Sequence, residues 1–167
     1  GFGDNIVVGG TGSDTITVGH GNNHITAGDG AGLDTIVAGN GNNCIDSGDA
    51  TNQVTVGGGD NYIIGGNSTD TIVAGNGRNF VVAGEGINTV TAGSGDNYIT
   101  GGTGADTITA NGGNNNIDAG GAANTVTTGA GNDVVKTGDG ADDVYTGGGD
   151  DILKDNGGAG SLAAGSG

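Results

Sequence analysis

Apolar and polar positions in this chain recur with a period of nine. The apolar centres are Ile6, Ile16, Ile25, Ile36, Ile45, Val54, Ile63, Ile72, Val81, Val90, Ile99, Ile108, Ile117, Val126, Val135, Val144 and Leu153. From Ile36 onward every step is nine. The earlier steps of ten, nine and eleven place small insertions in the loops before Asp14 and Asp34. Two residues ahead of each centre stands Asp or Asn, at all seventeen positions. Each repeat therefore predicts a glycine-rich loop followed by a strand of about three residues. Strand alternation turns the central Ile or Val inward, together with the residue two later. That second residue is small: Ala27, Ala38, Val56, Ala74, Ala83, Ala92, Ala110 and Ala119. The expected core is a thin layer of Ile and Val against Ala.

A period of 36 overlies the short one. Asp34, Asp70 and Asp106 open three similar blocks, Asp142 opens an incomplete fourth, and Gly-Asp-Asn-Tyr-Ile recurs at 59–63 and 95–99. From about Thr125 the small inward residue becomes Thr128, Thr137 and Thr146, then Asp155. Residues 157–167 are Gly, Ala and Ser with Leu162, and read as a tail or linker after a repeat domain of residues 1–156.

Composition sharpens this picture. Only 32% of the chain is hydrophobic, with 43 Gly, no Pro, no Met and no Trp. That is too little for an ordinary core, and such a charged, aromatic-poor chain would normally be disordered. A stacked repeat needs only one apolar stripe per turn, so periodicity decides for a solenoid. Nineteen acidic residues against three basic ones give a net charge of −16. This excludes nucleic acid as a partner, which needs a basic footprint. It favours a bound cation that relieves self-repulsion. Cys44 stands alone, so no internal disulfide forms. No apolar run is long enough to insert into a membrane. His20 and His24 are too isolated for a zinc site. No nucleophile–base pair, phosphate loop or catalytic carboxylate cluster stands out, so neither catalytic nor organic-cofactor residues are expected.

The segments Gly9-Gly-Thr-Gly-Ser-Asp-Thr-Ile-Thr17 and Gly101-Gly-Thr-Gly-Ala-Asp-Thr-Ile-Thr109 read G-G-x-G-x-D-x-U-x, with U apolar. Looser copies fill residues 3 to 155. The chain resembles the RTX (repeats-in-toxin) nonapeptide family. The resemblance implies an all-β, right-handed parallel β-roll with two nonapeptides per turn, so the 36-residue unit is two turns. It also implies Ca2+ held in the loops, with Asp14, Asp34, Asp70, Asp106, Asp133, Asp142 and Asp151 at the ligand positions. Calcium wants roughly six to eight oxygens, which carboxylates and glycine-loop carbonyls supply.

Nine of the seventeen positions are Asn, and Asn is also simply a good turn residue. Successive loops fall on opposite edges. One edge carries Asp34, Asn52, Asp70, Asn88, Asp106, Asn124 and Asp142. The other carries Asn43, Asn61, Asn79, Asn97, Asn115, Asp133 and Asp151. The expectation is a calcium edge and an edge held mainly by stacked asparagine amides.

The function expected is a calcium-stabilised structural segment of a secreted surface, adhesin or extracellular matrix protein. Its first rung, Gly3 to Val8 with Ile6 and Val8 inward, predicts end-to-end association into filaments. One alternative is the noncatalytic secretion or folding module of a larger toxin, protease or lipase. Another is an ice-binding solenoid that uses outward Thr-x-Thr pairs such as Thr89/Thr91 and Thr107/Thr109; Thr also simply suits an exposed sheet. Tyr62, Phe80 and Tyr98, at a spacing of eighteen, predict an aromatic ladder on the opposite face.

Overall fold

The computed structural model describes residues 2–167 and contains β-strands joined by loops, with no helix among them. Strands alternate between two nine-stranded sheets, each wholly parallel. The first sheet holds β1 (Ile6–Val8), β3 (His24–Thr26), β5 (Cys44–Asp46), β7 (Tyr62–Ile64), β9 (Phe80–Gly84), β11 (Tyr98–Gly102), β13 (Asn116–Asp118), β15 (Val134–Lys136) and β17 (Ile152–Lys154). The second holds β2 (Thr15–Val18), β4 (Asp34–Ala38), β6 (Asn52–Val56), β8 (Thr71–Ala74), β10 (Thr89–Ser94), β12 (Thr107–Gly112), β14 (Thr125–Ala130), β16 (Asp143–Tyr145) and β18 (Ser161–Ala163). Each nonapeptide is one strand and one loop, and two make a turn. The architecture is the expected parallel β-solenoid. Nine strands at the ~4.8 Å sheet spacing make it on the order of 40 Å long.

The core is the predicted stripe. Ile25, Ile36, Ile45, Ile63, Ile72, Val81, Val90, Ile99, Ile108, Ile117 and Val126 are buried, with Ala27, Ala83, Ala92, Ala110 and Ala119 beside them. In-register pairing stacks like on like: Ile99 lies on Val81 and Ile117, and Ala92 on Ala74 and Ala110. Loop glycines keep adjacent turns in contact. At Gly77, with φ of 121°, a side chain would run into the Gly59 backbone one turn below. On the outer face of the first sheet, Tyr62 and Phe80 stack at 5.1 Å and Phe80 and Tyr98 at 4.8 Å, with rings within 9° of parallel. The predicted ladder follows from identical register, which leaves flat rings one strand spacing apart.

The first rung departs from expectation. Val7, not Ile6, pairs with Ile25, and the Asn5 side chain, not that of Asp4, joins Asn23. Ile6 and Val8 therefore point outward and are 82% and 73% exposed. A slip of one residue exchanges the faces of a strand. The corrected centre, Val7, lies nine residues before Ile16, so the insertion expected before Asp14 disappears and only that before Asp34 remains. At the far end the ladder enters the stretch expected to be a tail. Leu162, nine residues after Leu153, sits opposite Val144 as β18 pairs with β16.

Candidate metal centre

The residue two before each apolar centre turns its side chain into the loop interior. Asn23, Asp34, Asn43, Asn52, Asn61, Asp70, Asn79, Asn88, Asn97, Asp106, Asn115, Asn124, Asp133 and Asp142 are all at most 2% exposed. Their Oδ1 atoms form a ladder on each edge, interrupted on the second between Asp34 and Asn52, where Asn52 Oδ1 has no partner. Leading into the first sheet, Asn43 N–H donates to Asn61 Oδ1, Asn61 to Asn79, Asn79 to Asn97, Asn97 to Asn115, Asn115 to Asp133 and Asp133 to Asp151. Leading into the second, Asn52 N–H donates to Asp70 Oδ1, Asp70 to Asn88, Asn88 to Asp106, Asp106 to Asn124 and Asn124 to Asp142. The predicted edges are those the structure builds.

Asn and Asp differ in the second side-chain atom. Asn Nδ2 donates to the carbonyls four and two residues earlier: Asn79 to Gly75 at 2.8 Å and Gly77 at 3.1 Å, Asn52 to Gly48 at 3.1 Å and Ala50 at 2.7 Å. The amide thus fills its loop with a donor. An aspartate sharing the same Oδ1 contact places an acceptor there instead. Asp14, Asp70, Asp106, Asp133, Asp142 and Asp151 each bury an Oδ2 with no hydrogen-bond partner. Asp34, whose loop is two residues longer, is the one expected position without such an orphan. Burial, only partly offset by hydrogen bonds from Asn52 and Asn88, holds the Asp70 carboxyl up at about 7 and that of Asp106 at about 6, from an ordinary 3.8.

Close carbonyl oxygens accompany three of the orphans. A Cβ placed on Gly9, Gly65 or Gly101, each five residues before its aspartate, would lie 2.6 to 2.8 Å from Oδ2 of Asp14, Asp70 or Asp106. That same point faces the carbonyl oxygen of Ala27, Ala83 or Ala119. In each of these loops a backbone carbonyl oxygen and a partnerless carboxylate oxygen approach the same point beside a glycine. A hard divalent cation fits that chemistry. Among the described residues no three His, Cys, Asp or Glu side chains converge, so other oxygens, such as backbone carbonyls, would complete any coordination shell. Only Asp14 with Asp34 and Asp133 with Asp151 stand on adjacent turns, joined at 2.7 and 2.9 Å from N–H to Oδ1.

A further ladder was missed by sequence reasoning. One residue before the buried position, on the asparagine edge only, exposed side chains bond in the opposite sense. Asn22 N–H donates to Asp4 Oδ1, Asn42 to Asn22, Asp60 to Asn42, Arg78 to Asp60, Asn114 to Asp96, Asn132 to Asn114 and Asp150 to Asn132. Paired Asn-Asn, Asp-Asn and Asn-Asp dipeptides at a spacing of eighteen were the legible signal. On the other edge Asn67 Nδ2 donates to Asp49 Oδ1 at 2.7 Å and the Thr103 hydroxyl donates to Glu85, so those exposed carboxylates pair with neutral neighbours.

A parallel β-solenoid of two nonapeptides per turn, with buried aspartates in its loops, is a repeat scaffold. Models of the RTX calcium-binding nonapeptide repeat match residues 1–33, 29–54, 46–81, 55–90, 82–117, 91–126 and 118–153, nearly the whole chain. The chain belongs to the RTX calcium-binding nonapeptide repeat family, a structural calcium-binding fold. No curated protein and no solved structure matches it.

Proposed function

We propose that calcium binds in the aspartate loops, at Asp70, Asp106 and Asp142 with Asp14 and Asp34 on one edge, and at Asp133 and Asp151 on the other. The ion completes the fold of a structural segment in a secreted, cell-surface or extracellular matrix protein. The observation carrying this reading is the set of six buried Oδ2 atoms that no protein donor reaches. Each leaves a charge or a proton inside an oxygen-lined loop, a cost that a divalent cation removes. Because the loops form only when turns stack, binding free energy becomes folding free energy. The −16 charge, which repels itself in a compact fold, supports a bound cation. Calcium titration by calorimetry, with β-signal in circular dichroism before and after chelation, tests the proposal. No heat and an unchanged spectrum would defeat it. Ions refined in the loops of Asn43, Asn61, Asn79 and Asn97 would defeat the edge assignment.

A second reading draws on the outer face of the second sheet. Thr89, Thr107 and Thr125 stack in one rank and Thr91, Thr109 and Thr127 in another, in register across β10, β12 and β14. Such a flat hydroxyl and methyl lattice suits an ordered water surface. Inhibition of ice recrystallisation that is lost in Thr91→Tyr would support it, and absence of any inhibition would remove it.

A further inference from the structure

In the glycine loops the residue five before the buried aspartate lies against its second side-chain oxygen, as Gly101 lies against Asp106. The identity of this position follows the loop type. Before the asparagines it is Val18, Ala38, Ser47, Val56, Ala74, Ala83, Ala92, Ala110 and Ala119. Before Asp14, Asp70 and Asp106 it is glycine. Before Asp133, Asp142 and Asp151 it is Thr128, Thr137 and Thr146. Threonine at this inward position thus arrives together with aspartate, and on the asparagine edge the two changes occur in the same two turns.

The hydroxyls are not satisfied by the fold. Thr128 is 3% exposed and Thr146 is 0% exposed, and neither Oγ1 has a hydrogen-bond partner. The Oδ2 atoms of Asp133 and Asp151 are orphaned in the same loops. Thr137 differs, since its hydroxyl contacts Asp155 Oδ1 at 3.3 Å. Buried Ser47, the other hydroxyl at such a position, lies in an asparagine loop and donates to the Ile64 and Gly65 carbonyls. Each of these two loops thus holds a buried hydroxyl and an orphaned carboxylate oxygen, neither with a protein partner, and a hard cation takes oxygens of both kinds.

We infer that Thr128 and Thr146 contribute side-chain oxygens to the calcium ions at Asp133 and Asp151, forming a second class of loop site with a ligand that the glycine loops lack. This rests on the calcium reading proposed above. The test is hydrogen–deuterium exchange across a calcium titration, read at the peptides spanning β15 and β17, with the β8 peptide beside Asp70 as internal reference. The doubly substituted Thr128→Ala, Thr146→Ala chain should fold, because Ala92 and Ala110 fill the same column. Its protection midpoint at β15 and β17 should rise at least about tenfold in calcium, with β8 unmoved. Thr128→Ser with Thr146→Ser should stay within about twofold of the parent, since it keeps the oxygens and loses only methyls. An alanine chain with the parent's midpoint would overturn the inference, as would a serine chain shifted as far as the alanine chain. If Asp133→Asn with Asp151→Asn makes β15 and β17 protection calcium-independent while the alanine chain behaves as the parent, calcium binding stands and the threonine role falls. Absence of calcium-dependent protection at β8, β15 and β17 alike would remove both.

Discussion

Replacing Asp106 by Asn exchanges one acceptor for a donor without altering the shape of the loop. The Oδ1 contact to Asn88 N–H, 2.7 Å long, is retained. The new amide should reach the carbonyls of Gly102 and Gly104, as Asn88 reaches Gly84, Glu85 and Gly86 at 3.2 to 3.4 Å. Those contacts are long, worth about 0.5 kcal/mol each, and removing an unpaired buried oxygen recovers about 1–3 kcal/mol. The calcium-free fold should gain about 2–3 kcal/mol, which for a chain of this size raises Tm in chelator by about 5–10 °C. The increment that calcium adds should shrink, because one site has gone. Melting followed by circular dichroism in chelator and in excess calcium reads both quantities. Asp106→Ala serves as control: it removes the Asn88 acceptor and should melt lower in both conditions. An Asp106→Asn chain that melts no higher than the parent in chelator would refute the view that Oδ2 stands in a donor's place.

Three other outcomes are expected. Because burial holds Asp70 near 7 and Asp106 near 6, above the ordinary 3.8, the metal-free fold binds more protons than the unfolded chain between about pH 4 and 7. Its stability should therefore fall as pH rises through that window, whereas calcium affinity should climb as the ion displaces the proton. Melting in chelator at pH 4.5 and 7.5 and calcium titrations at both values check the two signs. Asn79→Ala removes the acceptor for Asn61 and the donors to Gly75, Gly77 and Asn97. Orphaning several buried groups should cost about 2–4 kcal/mol, equally with and without calcium in denaturant melts. Chelation should release amide protection first in β15 to β17, where Asp133, Asp142 and Asp151 crowd, and last around β7 to β11; a uniform loss in exchange experiments would contradict that order.

The repeat was legible because one period governs both core and loop: Ile99 and Asn97 announce the same rung, and each confirms the other. The places of the seven loop aspartates followed from that register, and their assignment as ligands from the resemblance to RTX repeats. Legibility failed where neighbours competed for one role. In Asp4-Asn5-Ile6-Val7-Val8 either polar residue can cap the strand and any apolar residue can serve as its centre, so only pairing with Asn23 and Ile25 resolves the rung. Leu162 keeps the period, but Gly160 replaces the expected Asp or Asn, and the strand was hidden by composition. The outer ladder from Asp4 to Asp150 was obscured because exposed Asn and Asp look like ordinary turn residues. The threonine column was visible as a change of residue, but its meaning required knowing which hydroxyls lack a partner.

The unequal edges have a mechanical consequence. On the asparagine edge, six successive amides from Asn23 to Asn115 hold the turns at a spacing that needs no ion. On the other, from Asp34 onward every second turn carries a buried carboxylate whose repulsion depends on what neutralises it. A rod clamped along one side and adjustable along the other deforms as a bimetallic strip does. Loading and unloading the aspartate loops would change its curvature before its length, so that an ion concentration becomes a bend.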